Sequence, residues 1–98
     1  MTPTNTPSKG NPVVYPNPVS GPTVSVQVPL KSPSNVTIKI FTLAFREVAT
    51  LAQNQVSVGV DIVVPLVDKS GIPLANGLYY FVIEANGQRW VNKVLVLR

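Results

Sequence analysis

The 98-residue chain contains no cysteine and no histidine, and only four acidic residues. Without cysteine there is no disulfide and no thiolate, so packing and hydrogen bonds alone must hold a small domain made from it. Without histidine the commonest general base and the commonest metal ligand are both missing. The acidic residues Glu47, Asp61, Asp68 and Glu84 are well separated. Glu47 and Asp61 fall at polar-face positions of expected strands and read as solvated charges rather than as a glycoside-hydrolysing pair. No serine lies in a G-x-S-x-G motif. Asp68-x-Ser70-Gly71 lacks the later acidic ligands of a calcium loop and reads as an Asx-type turn. No apolar run approaches the ~20 residues of a membrane span, and Thr-Pro-Thr-Asn-Thr-Pro after Met1 is not the basic-then-apolar pattern of a secretory leader. The expectation is a non-catalytic domain with no cofactor and no metal.

Charge is scarce as well. Only 12% of residues are charged, about half the ~25% of an average globular protein. The net charge of +4 comes from eight lysines and arginines scattered along the chain. They form no run and no stripe interleaved with aromatics, as a nucleic-acid footprint requires. Weak attraction to anionic surfaces is the most this charge implies.

What the chain does have is apolar alternation and turn residues: 45% apolar residues, ten prolines and six glycines. Residues 1–12 are Thr/Pro-rich and read as an extended linker, with a domain over residues 13–98. Val13–Tyr15 is a short strand stopped by Pro16-Asn17-Pro18. Val24, Val26, Val28 and Leu30 mark one face of a strand over 23–30, and Val36, Ile38 and Ile40 one face of a strand over 35–41. A turn at 42–45 precedes a short strand over 47–51. A strand over 59–67 contains Pro65, which confines that position to an edge or a bulge. Strands over 78–85 and 88–97 flank Asn86-Gly87, the pair that a type I′ hairpin turn favours because both central residues need φ > 0. In the first of these two strands Tyr79, Phe81 and Ile83 are expected in the core, because Glu84 marks the opposite face as the solvent side. Seven strands with turns every ~8–12 residues predict an all-β fold, an immunoglobulin-like antiparallel sandwich.

Three motifs follow in order: Tyr15-Pro16-Asn17-Pro18, then Gly71-Ile72-Pro73-Leu74-Ala75-Asn76-Gly77-Leu78-Tyr79, then Lys93 followed by Val94-Leu95-Val96-Leu97-Arg98. In this order they resemble the C-terminal sorting domain of cargo proteins of the type IX (Por) secretion system, and also the related immunoglobulin-like domain of the flagellar hook-capping protein. The stretches Thr42-Leu43-Ala44-Phe45 and Val64-Pro65-Leu66 depart from the D-x-x-G turn and the Trp-Asp pair of related domains. The second departure, with the linker, favours the sorting domain. That resemblance implies a secretion signal directing a cargo through the periplasm of a Gram-negative bacterium to the cell surface or medium. Its partners would be the translocon and a cell-surface processing protease. The alternatives are a structural module of a surface or hook-capping-type assembly and, on Trp90, Tyr79 and Tyr80, a carbohydrate-binding module.

The prolines fix the chain path and Tyr15 is expected to pack under the sandwich edge. Gly77 is expected where a Cβ would clash. Tyr79 is expected to bond its hydroxyl to a nearby backbone group. The final strand has Trp90, Val94 and Val96 on one face with Asn92 and Arg98, and Val91, Leu95 and Leu97 on the other with Arg89 and Lys93. It runs through Leu97 without a polar tail, which raises the expectation that its last residues are held or read. A sandwich buries only one face of each sheet, so the surplus apolar strip is either covered within the fold or is a contact surface. An edge strand could also be read by β-augmentation or by a second copy. The candidate partner-binding residues are therefore Trp90, Lys93, Val94, Leu95, Val96, Leu97 and Arg98.

Overall fold

The computed structural model describes residues 11–98, so the expected linker lies outside the described residues except for Asn11 and Pro12. Pro12 is already buried against the domain, and its carbonyl accepts a bond from Asn92 Nδ2 at 3.3 Å. Seven strands follow: β1 (Val13–Tyr15), β2 (Thr23–Gln27), β3 (Ser34–Phe41), β4 (Glu47–Val56), β5 (Asp61–Pro65), β6 (Gly77–Ala85) and β7 (Gln88–Val96). They form an antiparallel sandwich, with a three-stranded sheet ordered β1-β2-β5 and a four-stranded sheet ordered β4-β3-β6-β7. The all-β expectation holds.

Alternation explains the layering. Val14, Val24, Val26, Ile62 and Val64 are the inward residues of the smaller sheet. Val36, Ile38, Ile40, Tyr79, Phe81, Ile83, Val94 and Val96 face them from the larger one. Side chains at every second position of a strand share a face, and each of these strands devotes that face to one core. Pro65 ends β5, an edge strand, where its missing N–H costs no ladder bond. The Asn86-Gly87 turn has φ of 52° and 74°, as a type I′ hairpin requires.

Several boundaries differ from expectation. β2 stops at Gln27 rather than Leu30, and β5 spans Asp61–Pro65 rather than 59–67. β4 continues to Val56, beyond Leu51, because its second half still pairs with β3 although Ala52, Gln53, Asn54 and Gln55 carry no apolar alternation. Asn35 Oδ1 accepts the Gln55 amide at 3.0 Å, across a register shift in the ladder. The final strand stops at Val96 rather than Leu97. The expected turn at 42–45 is present: Phe45 N–H donates to the Thr42 carbonyl at 2.8 Å and Arg46 N–H to Thr42 Oγ1 at 3.2 Å.

Beyond β5 the chain turns through 68–73 on Asp68, whose Oδ1 accepts the amides of Ser70 (2.8 Å) and Ile72 (3.0 Å). This Asx turn is tied to β4 by Lys69, through its amide to the Val48 carbonyl (3.0 Å) and its ammonium to Glu47 (3.1 Å). The Thr50 hydroxyl donates to Glu47 at 2.5 Å. That hydroxyl first, and Lys69 second, hold the Glu47 carboxyl below its ordinary range.

Truncating Phe81 to Ala should destabilise the fold by about 3–5 kcal/mol, as for a fully buried aromatic, while Val63→Ser on an exposed face should stay within about 0.5 kcal/mol; urea titration separates them. A carboxyl with a lowered folded pKa stabilises the fold above the ordinary glutamate value and loses that contribution as pH falls through the lowered one. Melting wild type and Glu47→Gln across the acid range should show the variant with the shallower decline below about 4.5, and high salt should shrink the difference because the ion pair is exposed.

Candidate functional site

β7 is an edge of the larger sheet, and an edge strand presents backbone groups that nothing in its own sheet satisfies. Here much of that edge is closed by the segment after β1. Asn17 lies between two prolines, each preceded by a cis peptide bond. Its side-chain amide does what a neighbouring strand would do: Nδ2 donates to the Lys93 carbonyl at 3.0 Å and Oδ1 accepts the Leu95 amide at 3.0 Å. Val19 continues the pairing, donating to the Leu95 carbonyl at 2.8 Å and accepting from Leu97 at 2.9 Å. Val19 is fully buried and forms a parallel bridge with Val96.

A second asparagine holds the end of the strand from the other side. Asn76 Oδ1 accepts the Arg98 amide at 3.0 Å, and its Nδ2 donates to the Arg98 carbonyl at 3.2 Å. This extends the β6–β7 ladder, whose last backbone pair is Gly77 with Val96. The Arg98 guanidinium then donates to the carbonyls of Leu74 (2.6 Å) and Gly21 (3.4 Å). Two side-chain amides and one guanidinium thus tie residues 93–98 to both motifs that precede them.

The remaining motif residues fall into place with two corrections. The Tyr79 hydroxyl donates to the Ala75 carbonyl at 2.6 Å beneath the 71–78 segment. Gly77 is not required by a clash, since a Cβ there would meet nothing within 4 Å; its φ of +150° is what excludes other residues. Gly71, at φ +83°, is required in the same way. Tyr15 does not pack under the sandwich edge. It is 40% exposed, and its hydroxyl bonds the Asp61 carboxylate on β5, which also accepts from Gln27 at 3.3 Å. That bond to a carboxylate raises the Tyr15 pKa.

The seven candidate partner-binding residues separate by side. Val94 and Val96 are fully buried and Trp90 packs against the core, so in the folded domain the first two offer a partner nothing. Lys93, Leu95 and Leu97 face outward, while Arg98 is engaged as above. The outward residues belong to a wider surface that strand-by-strand reading did not assemble. Across β3, β6 and β7 the register sets Leu78 opposite Leu95, Tyr80 between Phe41 and Lys93, and Val82 between Lys39 and Val91. Glu84 follows, opposite Arg89, with which it forms a 3.8 Å ion pair. Phe45, from the loop after β3, stacks on Tyr80 with ring centroids 5.1 Å apart and planes 7° from parallel. Val82 is only 3% exposed despite pointing away from the sandwich, while Val91 is 56% exposed. The surplus strip is therefore the rim of an apolar outer face whose centre covers itself.

A groove of about 260 Å³ between β4 and β5 is lined by Ile38, Ile40 and Val64 with Asp68 and Lys69 at one end. Among the described residues no three histidine, cysteine or acidic side chains group to hold a metal, and no helix is long and apolar enough to cross a membrane.

Comparison with known proteins places this geometry. The family described as the secretion system C-terminal sorting domain matches residues 13–97. No curated protein matches significantly. Among solved structures, the chain is similar to dimeric latent PorU from Porphyromonas gingivalis, with a TM-score of 0.66 and 23% identity over 88% of this chain. The chain covers only 9% of that protein, and at this identity the likeness concerns the fold.

Replacing Asn17 by Ala removes the partner of the Leu95 amide and the Lys93 carbonyl at an exposed edge, where water can take its place, so a loss of about 0.5–1.5 kcal/mol is expected. Hydrogen exchange should quicken at Leu95 in Asn17→Ala. In Asn17→Asp, which keeps the acceptor and loses the donor, Leu95 should stay better protected. Unchanged exchange in Asn17→Ala would show that the clamp contributes nothing.

Proposed function

The chain belongs to the family of type IX secretion C-terminal sorting domains, and from that premise we propose that its role is carried by the folded body over residues 13–98, with the Thr/Pro segment before it as a tether to cargo. A domain of this family is a sorting signal: it directs a cargo through the periplasm of a Gram-negative bacterium to the cell surface or the medium. Such domains are typically non-catalytic and are recognised by the secretion machinery. The finer reading is that recognition centres on the last strand, where Lys93, Leu95 and Leu97 present outward, and that a cell-surface protease then removes the domain.

The single observation that supports placing recognition there is the pair of asparagine clamps on residues 93–98. Asn17 and Val19 occupy the hydrogen-bonding edge at Lys93, Leu95 and Leu97. A partner strand therefore finds that stretch already paired, and β-augmentation at 93–97, one of the expected modes, is blocked. Recognition falls instead on outward side chains.

Transfer of the signal tests the reading. The 98-residue chain is fused behind a reporter that normally remains in the periplasm of a host with a type IX system. The expected result is reporter outside the cell, and its return to the periplasm when Lys93–Arg98 is deleted. A reporter that stays inside with the intact chain overturns the proposal. Mass spectrometry of the exported reporter reads the processing step: a mature product still carrying the domain argues against removal.

A further inference from the structure

We propose that the outer face of the four-stranded sheet is the surface by which the folded domain is gripped, and that its partner is a protein face apolar at its centre and acidic at its margin. The inference rests on the sorting reading and goes beyond it, since it assigns recognition to a tertiary surface drawn from three separate segments. Leu78 and Tyr80 come from β6, Val91 and Leu95 from β7, Leu97 from just beyond it, and Phe45 from the β3–β4 loop.

Two independent observations carry it. The first is Phe45. It holds φ of +62°, a backbone region that is uncommon for bulky residues. It is also 68% exposed, so neither backbone preference nor core burial accounts for an aromatic there. What it does is extend the apolar face outward through its stack on Tyr80. Strain together with an exposed aromatic is the pattern of a residue kept for contact.

The second is charge. On and beside this face stand Lys39, Lys69, Lys93 and Arg89 against Glu47 and Glu84, four basic groups to two acidic ones. Both acids are engaged in ion pairs, Glu47 with Lys69 and Glu84 with Arg89. Lys93 forms no ion pair among the described residues, and Lys39 acts on the Glu47 carboxylate without pairing with it; the two flank the Tyr80–Val82 centre on either side. An apolar centre with basic groups beside it is complemented by an apolar centre with acidic ones; such complementarity sets orientation and rejects wrong partners. With the strand edge at 93–97 occupied, a face-on contact is the mode left to this end of the sheet.

The test uses the reporter fusion with three double variants, Phe45→Ser/Val91→Ser, Lys39→Glu/Lys93→Glu and the conservative Lys39→Arg/Lys93→Arg. Thermal melts of the purified 98-residue chains establish folding. The serine and glutamate pairs should melt cooperatively yet lower the exported fraction about tenfold, the loss expected when interface hot spots are removed, while the arginine pair exports normally. Folded serine and glutamate variants that export normally overturn the inference; it falls alone if deleting Lys93–Arg98 still blocks export, and with the sorting reading if the wild-type fusion stays inside. Two further outcomes overturn it by identifying another occupant. One is flotation of the wild-type chain with phosphatidylglycerol vesicles that the glutamate pair abolishes. The other is a dimer in light scattering that the serine pair dissolves.

Discussion

The fold depends on how the free edge of its last strand is closed. β7 lies at the margin of the larger sheet, and its inward residues Val94 and Val96 complete the core. An open edge there would leave buried side chains attached to a backbone free to fray or to pair with another chain. Asn17 closes it with one primary amide, whose donor and acceptor lie side by side and meet the Lys93 carbonyl and the Leu95 amide together. Val19 then extends the closure in the backbone itself. The same device recurs at Asn76, so each of the two leading motifs contributes one asparagine to the terminal segment.

This arrangement gives the Tyr15–Pro18 and Gly71–Tyr79 motifs a common purpose. They look unrelated along the chain, one a proline-flanked turn and the other a glycine-bounded run into a strand. In three dimensions they hold the same six residues. Arg98 adds a third fastening through the carbonyls of Leu74 and Gly21. A sorting domain of this design is therefore a tertiary object, in which the terminal residues divide between core, clamp and outward face. Reading them as a linear tag would assign one role to all of them.

Much of this was legible in the sequence, for identifiable reasons. Alternation in Val24–Val28 and Val36–Ile40 reports burial directly, and Asn86-Gly87 names its turn. Placing Tyr79, Phe81 and Ile83 in the core needed only the parity set by Glu84. What was not legible is what depends on partners far along the chain. Asn17 reads as a turn residue because its contacts lie 76 and 78 residues away. Val19 sits in a Pro/Ser/Gly setting that masks its bridge to Val96. The far half of β4 is polar, and only pairing with β3 makes it a strand. The outer face was half visible: the excess of Val91, Leu95 and Leu97 could be counted, but Phe45 joins them only through a loop whose backbone is left-handed.

The separation between the clamp and what it clamps also has a consequence in time. Asn17 precedes Leu95 by 78 residues, and at synthesis rates of about 5–20 residues per second it waits roughly 4–16 seconds for its partner to be made. Through that interval the smaller sheet has all its strands once β5 is complete but lacks the opposing layer's final strand, so the core cannot close. The domain thus reaches its finished form after translation of its whole length, and the surface it displays is withheld until then.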